Sequence, residues 1–290
     1  MKKFLVTIVA LTVVASSAHA SPTPLQNLPP GPFGQAVQRG YDAIMNTTTD
    51  PESKGNVGNG LTCNSCHTDG GNNDHPGNLL KTATKFPAFS PREGAVITLE
   101  DRIANCFMRS MNGMRPSTDS KLVVDMTAYI SWLDQGKAIL APASAAEPSP
   151  FPAMLKAATH ADVVAGTAVY KTDCAACHGA RGAGIPGTFP PVWGPNSYNA
   201  GAGLANVPKL AEWVKGNMPL GNAHLSDKDA FDVALYINTQ PRPDFVLTQH
   251  LPAGAPPDDY NATVRTETDT VASNLKKPGL SLPALLGTAP

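Results

Sequence analysis

The sequence predicts a mostly α-helical, loop-rich chain built from two tandem copies of one small fold, and three observations predict it. The pattern Cys-x-x-Cys-His occurs twice, at Cys63-Asn64-Ser65-Cys66-His67 and at Cys174-Ala175-Ala176-Cys177-His178. Each copy is followed by a helix-like segment in which an Asp precedes a Tyr-Ile pair by four residues: Asp125 with Tyr129-Ile130, and Asp232 with Tyr236-Ile237. The 28 Pro and 25 Gly among 290 residues favour short helices joined by loops.

Taken in order, the first twenty residues read as an export signal. Lys2 and Lys3 precede an apolar run from Phe4 to Val14, and Ala18-His19-Ala20 forms a small-residue cleavage site ahead of Ser21. The run is too short to span a bilayer comfortably. Its removal leaves 20 Lys and Arg against 23 Asp and Glu, a near balance that points to neither nucleic acid nor a membrane surface as partner. No later segment approaches a transmembrane helix, so a soluble periplasmic protein is expected.

Cys-x-x-Cys-His is the attachment pattern of c-type haem. The two thiols form thioethers to the haem vinyl groups, and the adjacent His lies close enough to be the proximal iron ligand. One copy would also suit a redox dithiol or half a zinc site. Two copies behind an export signal favour two covalent haem c groups, on Cys63, Cys66 and His67 and on Cys174, Cys177 and His178. From the first haem Cys to the Tyr of the closing helix is 66 residues in one half (Cys63 to Tyr129) and 62 in the other (Cys174 to Tyr236), which argues for two copies of one fold.

An opening helix is marked by Gly40-Tyr41 in the first half and by Gly166 and Tyr170 in the second. The closing helices carry apolar periodicity, as in Phe231, Ala234 and Leu235. The second of them begins with the capping box Ser226-x-x-Asp229 and stops before Pro241. Two helices packed around a haem, with the rest in loops, resembles the class I cytochrome c fold, here in tandem. The expected domains are 21–140 and 155–250, with residues 141–154 as an Ala/Pro/Ser-rich linker. Residues 251–290, rich in Pro, Thr and Ala, read as a tail that is disordered or draped over the surface.

The second axial ligands separate electron transfer from chemistry. In the second half the candidate is Met218, in Gly216-Asn217-Met218-Pro219, 40 residues past His178 and after a short helix from about Pro208 to Lys215. A thioether ligand raises the haem potential and suits electron transfer; the other reading is that Met218 only fills the core. The same offset in the first half lands on Cys106, 39 residues past His67. Cys106 is either the sixth ligand or a small buried hydrophobe, in which case Met108, Met111 or Met114 takes the role.

Thr98-Leu99-Glu100-Asp101 is a capping box that predicts a helix to about Asn112, stopped by Gly113. On it Arg102 and Cys106 are four apart and share a face, and Arg92 lies in a Pro-flanked loop before it. A nearby guanidinium favours the thiolate, the nucleophilic and metal-binding form of cysteine. Arginines beside a thiolate and a haem suit small, doubly charged oxyanions, because a guanidinium binds two oxygens at once. The alternative is that these arginines pair with haem propionates. Arg109 and Arg115 read as surface or propionate partners.

From about residue 33 to about 245 the chain resembles the dihaem thiosulfate dehydrogenases, a family that includes members biased toward tetrathionate reduction. The most specific part is Arg92 followed by Asp101-Arg102-Ile103-Ala104-Asn105-Cys106-Phe107-Met108-Arg109-Ser110-Met111-Asn112-Gly113. The resemblance implies that Arg92, Arg102 and Cys106 frame the substrate site, with Ser110 a further substrate-site residue. It implies Met218 as distal ligand of the second haem, with Lys215 and Asn217 near that haem. Some members have Lys directly before that Met; here it is Asn217, so their redox bias does not transfer.

The reaction implied by the resemblance joins two thiosulfates into tetrathionate and releases two electrons, which a soluble periplasmic carrier such as a small cytochrome c collects. In the family the axial Cys leaves the iron, bonds the outer sulfur of one thiosulfate and is displaced by a second. A thiolate donor is expected to lower the potential of the first haem, while Met218 keeps the second higher. Two competing readings remain at this point. One is a dihaem electron carrier without substrate chemistry, with Met ligands at both irons. The other is a haem subunit of the periplasmic Sox complex, which loads a carrier protein.

Overall fold

A computed structural model of the chain describes residues 25–90, 92–138 and 162–254, together with the backbone of Thr266–Glu267. The expected export signal (1–20) and linker (141–154) lie outside these residues.

Seven helices order the described residues. In the first half these are α1 (Pro32–Met45), α2 (Leu99–Arg109) and α3 (Lys121–Leu133). In the second, α4 (Val163–Val169) runs through a π-helical turn, Tyr170–Cys174, into α5 (Ala175–His178), followed by α6 (Val207–Asn217) and α7 (Asp227–Asn238). Two small antiparallel ribbons complete the set: β1 (Ala88–Ser90) with β2 (Ala95–Ile97), and β3 (Phe245–Val246) with β4 (Thr266–Glu267). No helix among the described residues is long and apolar enough to cross a membrane.

The opening and closing helices of each half pack on one another, α1 on α3 and α4 on α7. The repeat is visible at the crossings. A Cβ at Gly40 would lie 2.0 Å from the Asp125 carbonyl oxygen, and a Cβ at Gly166 would lie 2.0 Å from that of Asp232. Only hydrogen fits at either place, so both halves need glycine there. Each half then buries one tyrosine that donates to the chain just past its haem motif: Tyr129 to the Gly70 carbonyl at 2.8 Å, and Tyr170 to the Gly179 carbonyl at 2.7 Å. Val37, Ile44, Ile103, Phe107, Val123 and Tyr129 form the first core; Tyr170, Leu210, Phe231, Val233 and Ala234 form the second.

Helix α7 starts as expected, with the Ser226 hydroxyl accepting from the Asp229 N–H at 3.1 Å. Helix α6 is longer than the expected Pro208–Lys215, because the Asn206 side chain caps it, accepting from the Lys209 N–H at 3.2 Å. Helix α2 is shorter than expected and ends at Arg109 rather than near Asn112. Asn112 adopts φ +46°, and its side-chain oxygen accepts from Asn199 at 2.9 Å. That bond between the two halves and the left-handed backbone turn the chain out of the helix before Gly113.

The two halves are bound by polar contacts to backbone. Trp213 Nε1 donates to the Cys66 carbonyl at 2.9 Å, Asn217 Nδ2 to the Pro76 carbonyl at 2.9 Å, and Asn199 Nδ2 to the Met108 carbonyl at 2.8 Å. After α7 the chain returns to the first half: Arg115 N–H donates to the His250 carbonyl at 2.8 Å, and Phe245 and Leu247 bury Met108. Arg109, expected at the surface or on a propionate, is buried there instead. Its guanidinium lies 4.2 Å from the Phe245 ring centroid and 3.8 Å from Glu93 Oε1. Arg115 pairs with Asp101 at 2.7 Å. Within the expected 251–290 tail, Thr266–Glu267 forms a strand on β3.

Candidate haem and oxyanion site

Local structure aims both motif histidines the same way. In the first half Thr62 and Ser65 cap the 3₁₀ turn Cys63–Ser65, and the Cys63 N–H donates to Thr47 Oγ1 at 2.9 Å. His67 Nδ1 then pairs with the Gly77 carbonyl at 2.5 Å, and His178 Nδ1 with the Pro190 carbonyl at 2.9 Å. A carbonyl can only accept, so each Nδ1 carries the proton and each Nε2 keeps its lone pair for a metal. Burial, and after it the Gly77 bond working in the opposite direction and the nearby Arg102 charge, leaves the His67 pKa below its usual value, which favours the neutral ligand form.

The motif cysteines are not set up as a reactive dithiol or a zinc site. None is in a disulfide. Burial pushes the thiols of Cys63, Cys66 and Cys174 up to about 12, far from thiolate formation at neutral pH. Among the described residues no cluster of three or more His, Cys, Asp or Glu could hold a metal ion by itself.

A cavity of about 1070 Å³ opens over the second motif. It reaches past the roughly 300–1,000 Å³ of ordinary cofactor pockets. Cys174, Cys177, His178 and Met218 line it, with Tyr170, Leu210, Val214 and Ile237 as apolar walls, and the first half closes one side with residues 59–62 and 64–66. Arg242 stacks over Tyr198, another lining residue, at 4.3 Å. Arg242 is buried, and its Nε and Nη1 lack hydrogen-bond partners among the described residues. A buried guanidinium without a counter-charge is costly, and a haem propionate would supply one. Oriented imidazoles, unpaired half-buried thiols, a largely apolar cavity and an orphaned cation fit covalent haem.

Helix α2 divides its residues by face. Leu99, Ile103 and Phe107 enter the first core, and Met108 and Arg109 are also buried. Arg102 and Cys106, with Ser110 at the C-cap, are spaced by four and occupy the adjacent, more open flank. Arg102 Nη1 lies 3.4 Å from Cys106 Sγ. Cys106 is near enough to Cys63 and Cys66 to raise both thiols further, and Arg102 is near enough to act on His67. Arg92 and Arg102 both act on Lys209 of α6. Arg102 and Cys106 thus lie near the first haem motif, and Arg92 lies with Arg102 near Lys209. The methionine alternatives are placed elsewhere: Met108 is fully buried against Phe245 and Leu247, Met111 lies in the first core, and Met114 lines a small cavity with His250.

Met218 ends α6 and faces the same cavity as His178. Its polar neighbours, expected near the second haem, bond to other protein groups. Lys215 is exposed and pairs with Asp227. Asn217 bonds the Pro76 and Trp213 carbonyls at 2.9 and 2.8 Å, because α6 lies on the first half along this side. Sequence reading missed Gly77 and Pro190, whose carbonyls orient the histidines, since backbone acceptors leave no residue signature. It also missed Trp213 and Lys209. The available signal for both was the i, i+4, i+8 stripe Lys209, Trp213, Asn217 on an expected helix.

Residues 53–139 match the family model described as SoxA/TsdA, cytochrome c domain, and residues 161–237 match Cytochrome C oxidase, cbb3-type, subunit III. The thiosulfate dehydrogenase of Allochromatium vinosum is 39% identical over 248 residues, covering 82% of this chain and 86% of that one. The chain belongs to the thiosulfate dehydrogenase family. The family member from Thiomonas intermedia is 34% identical over 235 residues, covering 79% of this chain and 73% of its own. The structure of thiosulfate dehydrogenase (TsdBA) from Marichromatium purpuratum, in its "as isolated" form, aligns with a TM-score of 0.65 and 34% identity over 75% of this chain. This chain spans about half the length of that one, at 48%. As a member of the thiosulfate dehydrogenase family, the chain is an oxidoreductase of two cytochrome c domains carrying two covalent haem c groups.

Proposed function

We propose that this chain is a periplasmic enzyme that interconverts thiosulfate and tetrathionate at the open face of α2. The observation that carries the proposal is the Arg102 Nη1 to Cys106 Sγ distance of 3.4 Å, on the face that meets the first haem motif. The curated relatives' activity and the SoxA/TsdA match over this half support it. In this reading the chain divides as the sequence suggested, with a cleaved leader at 1–20 and haem domains at 21–140 and 155–250. Cys63 and Cys66 would attach the first haem, and His67 and Cys106 would hold its iron. Cys174 and Cys177 would attach the second, and His178 and Met218 would hold its iron.

The two haems together supply capacity for the two electrons released per tetrathionate, before a small soluble cytochrome c removes them. The protein's part is to make and break sulfur–sulfur bonds between anions. The Cys106 thiolate sulfur bonds the outer sulfur of one thiosulfate, and two electrons leave. The outer sulfur of a second thiosulfate attacks that same sulfur. The bond to Cys106 breaks, Cys106 departs as thiolate, and tetrathionate is released without net proton transfer. Two like unit charges held about 4 Å apart repel by roughly 4 kcal/mol at an effective dielectric of 20. Arg92 and Arg102 offset that repulsion by binding the sulfonates, and this electrostatic contribution is the main one the protein makes.

The test is thiosulfate-dependent reduction of ferricyanide by the purified holoprotein, with no carrier protein added. Turnover is expected in the wild type. Cys106→Ala is expected to abolish it while two haems per chain remain attached. Wild-type-like turnover in that variant overturns the proposed chemistry. A wild type that passes electrons but does not respond to thiosulfate identifies a plain electron carrier, and one that responds only with a carrier protein identifies a Sox-type subunit.

A further inference from the structure

Resting on that reading of the α2 face, we propose that Lys209 of the second half is a third cation of the thiosulfate site and binds the sulfonate opposite the one held by Arg102. Helix α6 has two working faces. Val207, Leu210, Ala211 and Val214 enter the core of the second half. Trp213 and Asn217, one and two turns after Lys209, are bonded to the Cys66 and Pro76 carbonyls of the first half at 2.9 Å each. Side chains four apart share a helix face, so Lys209 stands on the face that covers the first haem motif, one turn beyond the Trp213 contact. It is exposed there, open to a ligand. Its charge lies within electrostatic reach of both Arg92 and Arg102 and of Glu212 one turn on.

Like charges repel, so an ammonium and guanidinium groups held within electrostatic reach of one another favour an anion between them. The substrate chemistry matches the arrangement. Tetrathionate carries a sulfonate at each end, and joining two thiosulfates requires both dianions to be held while their outer sulfurs meet. Arg102 belongs to α2 and Lys209 to α6, so cations from both halves of the chain are available to the two ends of the product. The site is then complete only when the second half is docked.

The test compares wild-type, Lys209→Met and Lys209→Arg holoproteins by calorimetric titration with sulfate, an unreactive dianion, and by steady-state thiosulfate oxidation. Loss of one charge-assisted hydrogen bond predicts that Lys209→Met weakens sulfate binding and raises KM for thiosulfate by about tenfold or more, with the effect on KM larger than that on kcat. Lys209→Arg is expected to stay within about threefold of wild type, because the cation is retained. The absorption spectra of both haems are expected to be unchanged in each variant. Sulfate affinity and KM at wild-type values in Lys209→Met, or no recovery in Lys209→Arg, overturns the inference. Lys209-dependent sulfate binding in a wild type that does not oxidise thiosulfate leaves this site standing and removes the functional reading instead.

Discussion

The Cys106 sulfur and the Arg102 guanidinium meet at 3.4 Å because four residues along α2 is one turn, and that much was readable from spacing alone. Arg109, read as a surface or propionate partner, is instead buried under Phe245, which arrives from far along the chain. Residue roles set within one helix were legible; those set by a distant segment were not. Asp125 belongs to both kinds, with Lys121 one turn away on α3 and Arg39 reaching it from α1. Its carboxylate is buried, which pushes its pKa up, but the Arg39 bond at 2.6 Å and the Lys121 bond at 2.7 Å outweigh burial and leave it below the usual 3.8. A pKa lower in the folded than in the unfolded chain adds stability above the unfolded value, and that stability is lost as pH falls through the folded one. Asp125→Asn is therefore expected to be clearly less stable than wild type at pH 7, with the gap narrowing below about pH 4. Urea denaturation of both holoproteins at pH 7 and pH 3 checks this; a gap of constant size contradicts it.

Elements were legible where caps and punctuation are local. The boxes at Thr98 and Ser226 start α2 and α7 where the sequence places them. The end of α2 was not legible, because Asn112 is drawn into the left-handed region by a bond to Asn199 in the other half. The glycines of the opening helices carried more information than their helix propensity suggests. Gly40 and Gly166 recur in both halves because each faces a backbone carbonyl of the closing helix, with a Cβ position only 2.0 Å from that oxygen. Alanine there must push the helices apart. Overpacking of this kind costs about 1–3 kcal/mol, and the rigid carbonyl neighbour places Gly166→Ala at the upper end. The expected outcome is a lower urea midpoint with the haem motif spectra of the first half retained. A variant as stable as wild type contradicts the crossing as described.

At the scale of the molecule, duplication was legible from two motifs and two Tyr-Ile helices, whereas the contact between the copies was not. That contact is built from Asn59, Asn199, Trp213 and Asn217 bonding to backbone carbonyls, an arrangement with no periodicity to detect. It matters for function because Trp213 touches the Cys66 carbonyl of the first motif while lining the cavity over the second. The copies have also diverged in the one place that separates chemistry from conduction: 39 residues after its motif histidine the first half presents a cysteine beside an arginine, and 40 residues after its own the second presents Met218. A single chain is thus expected to hold two electronically different irons. Low-temperature EPR of the oxidised holoprotein measures this directly. The account predicts two low-spin signals, one of His/thiolate type that disappears in Cys106→Ala and one of His/Met type that persists; a spectrum with only His/Met-type signals, unchanged by that substitution, contradicts it.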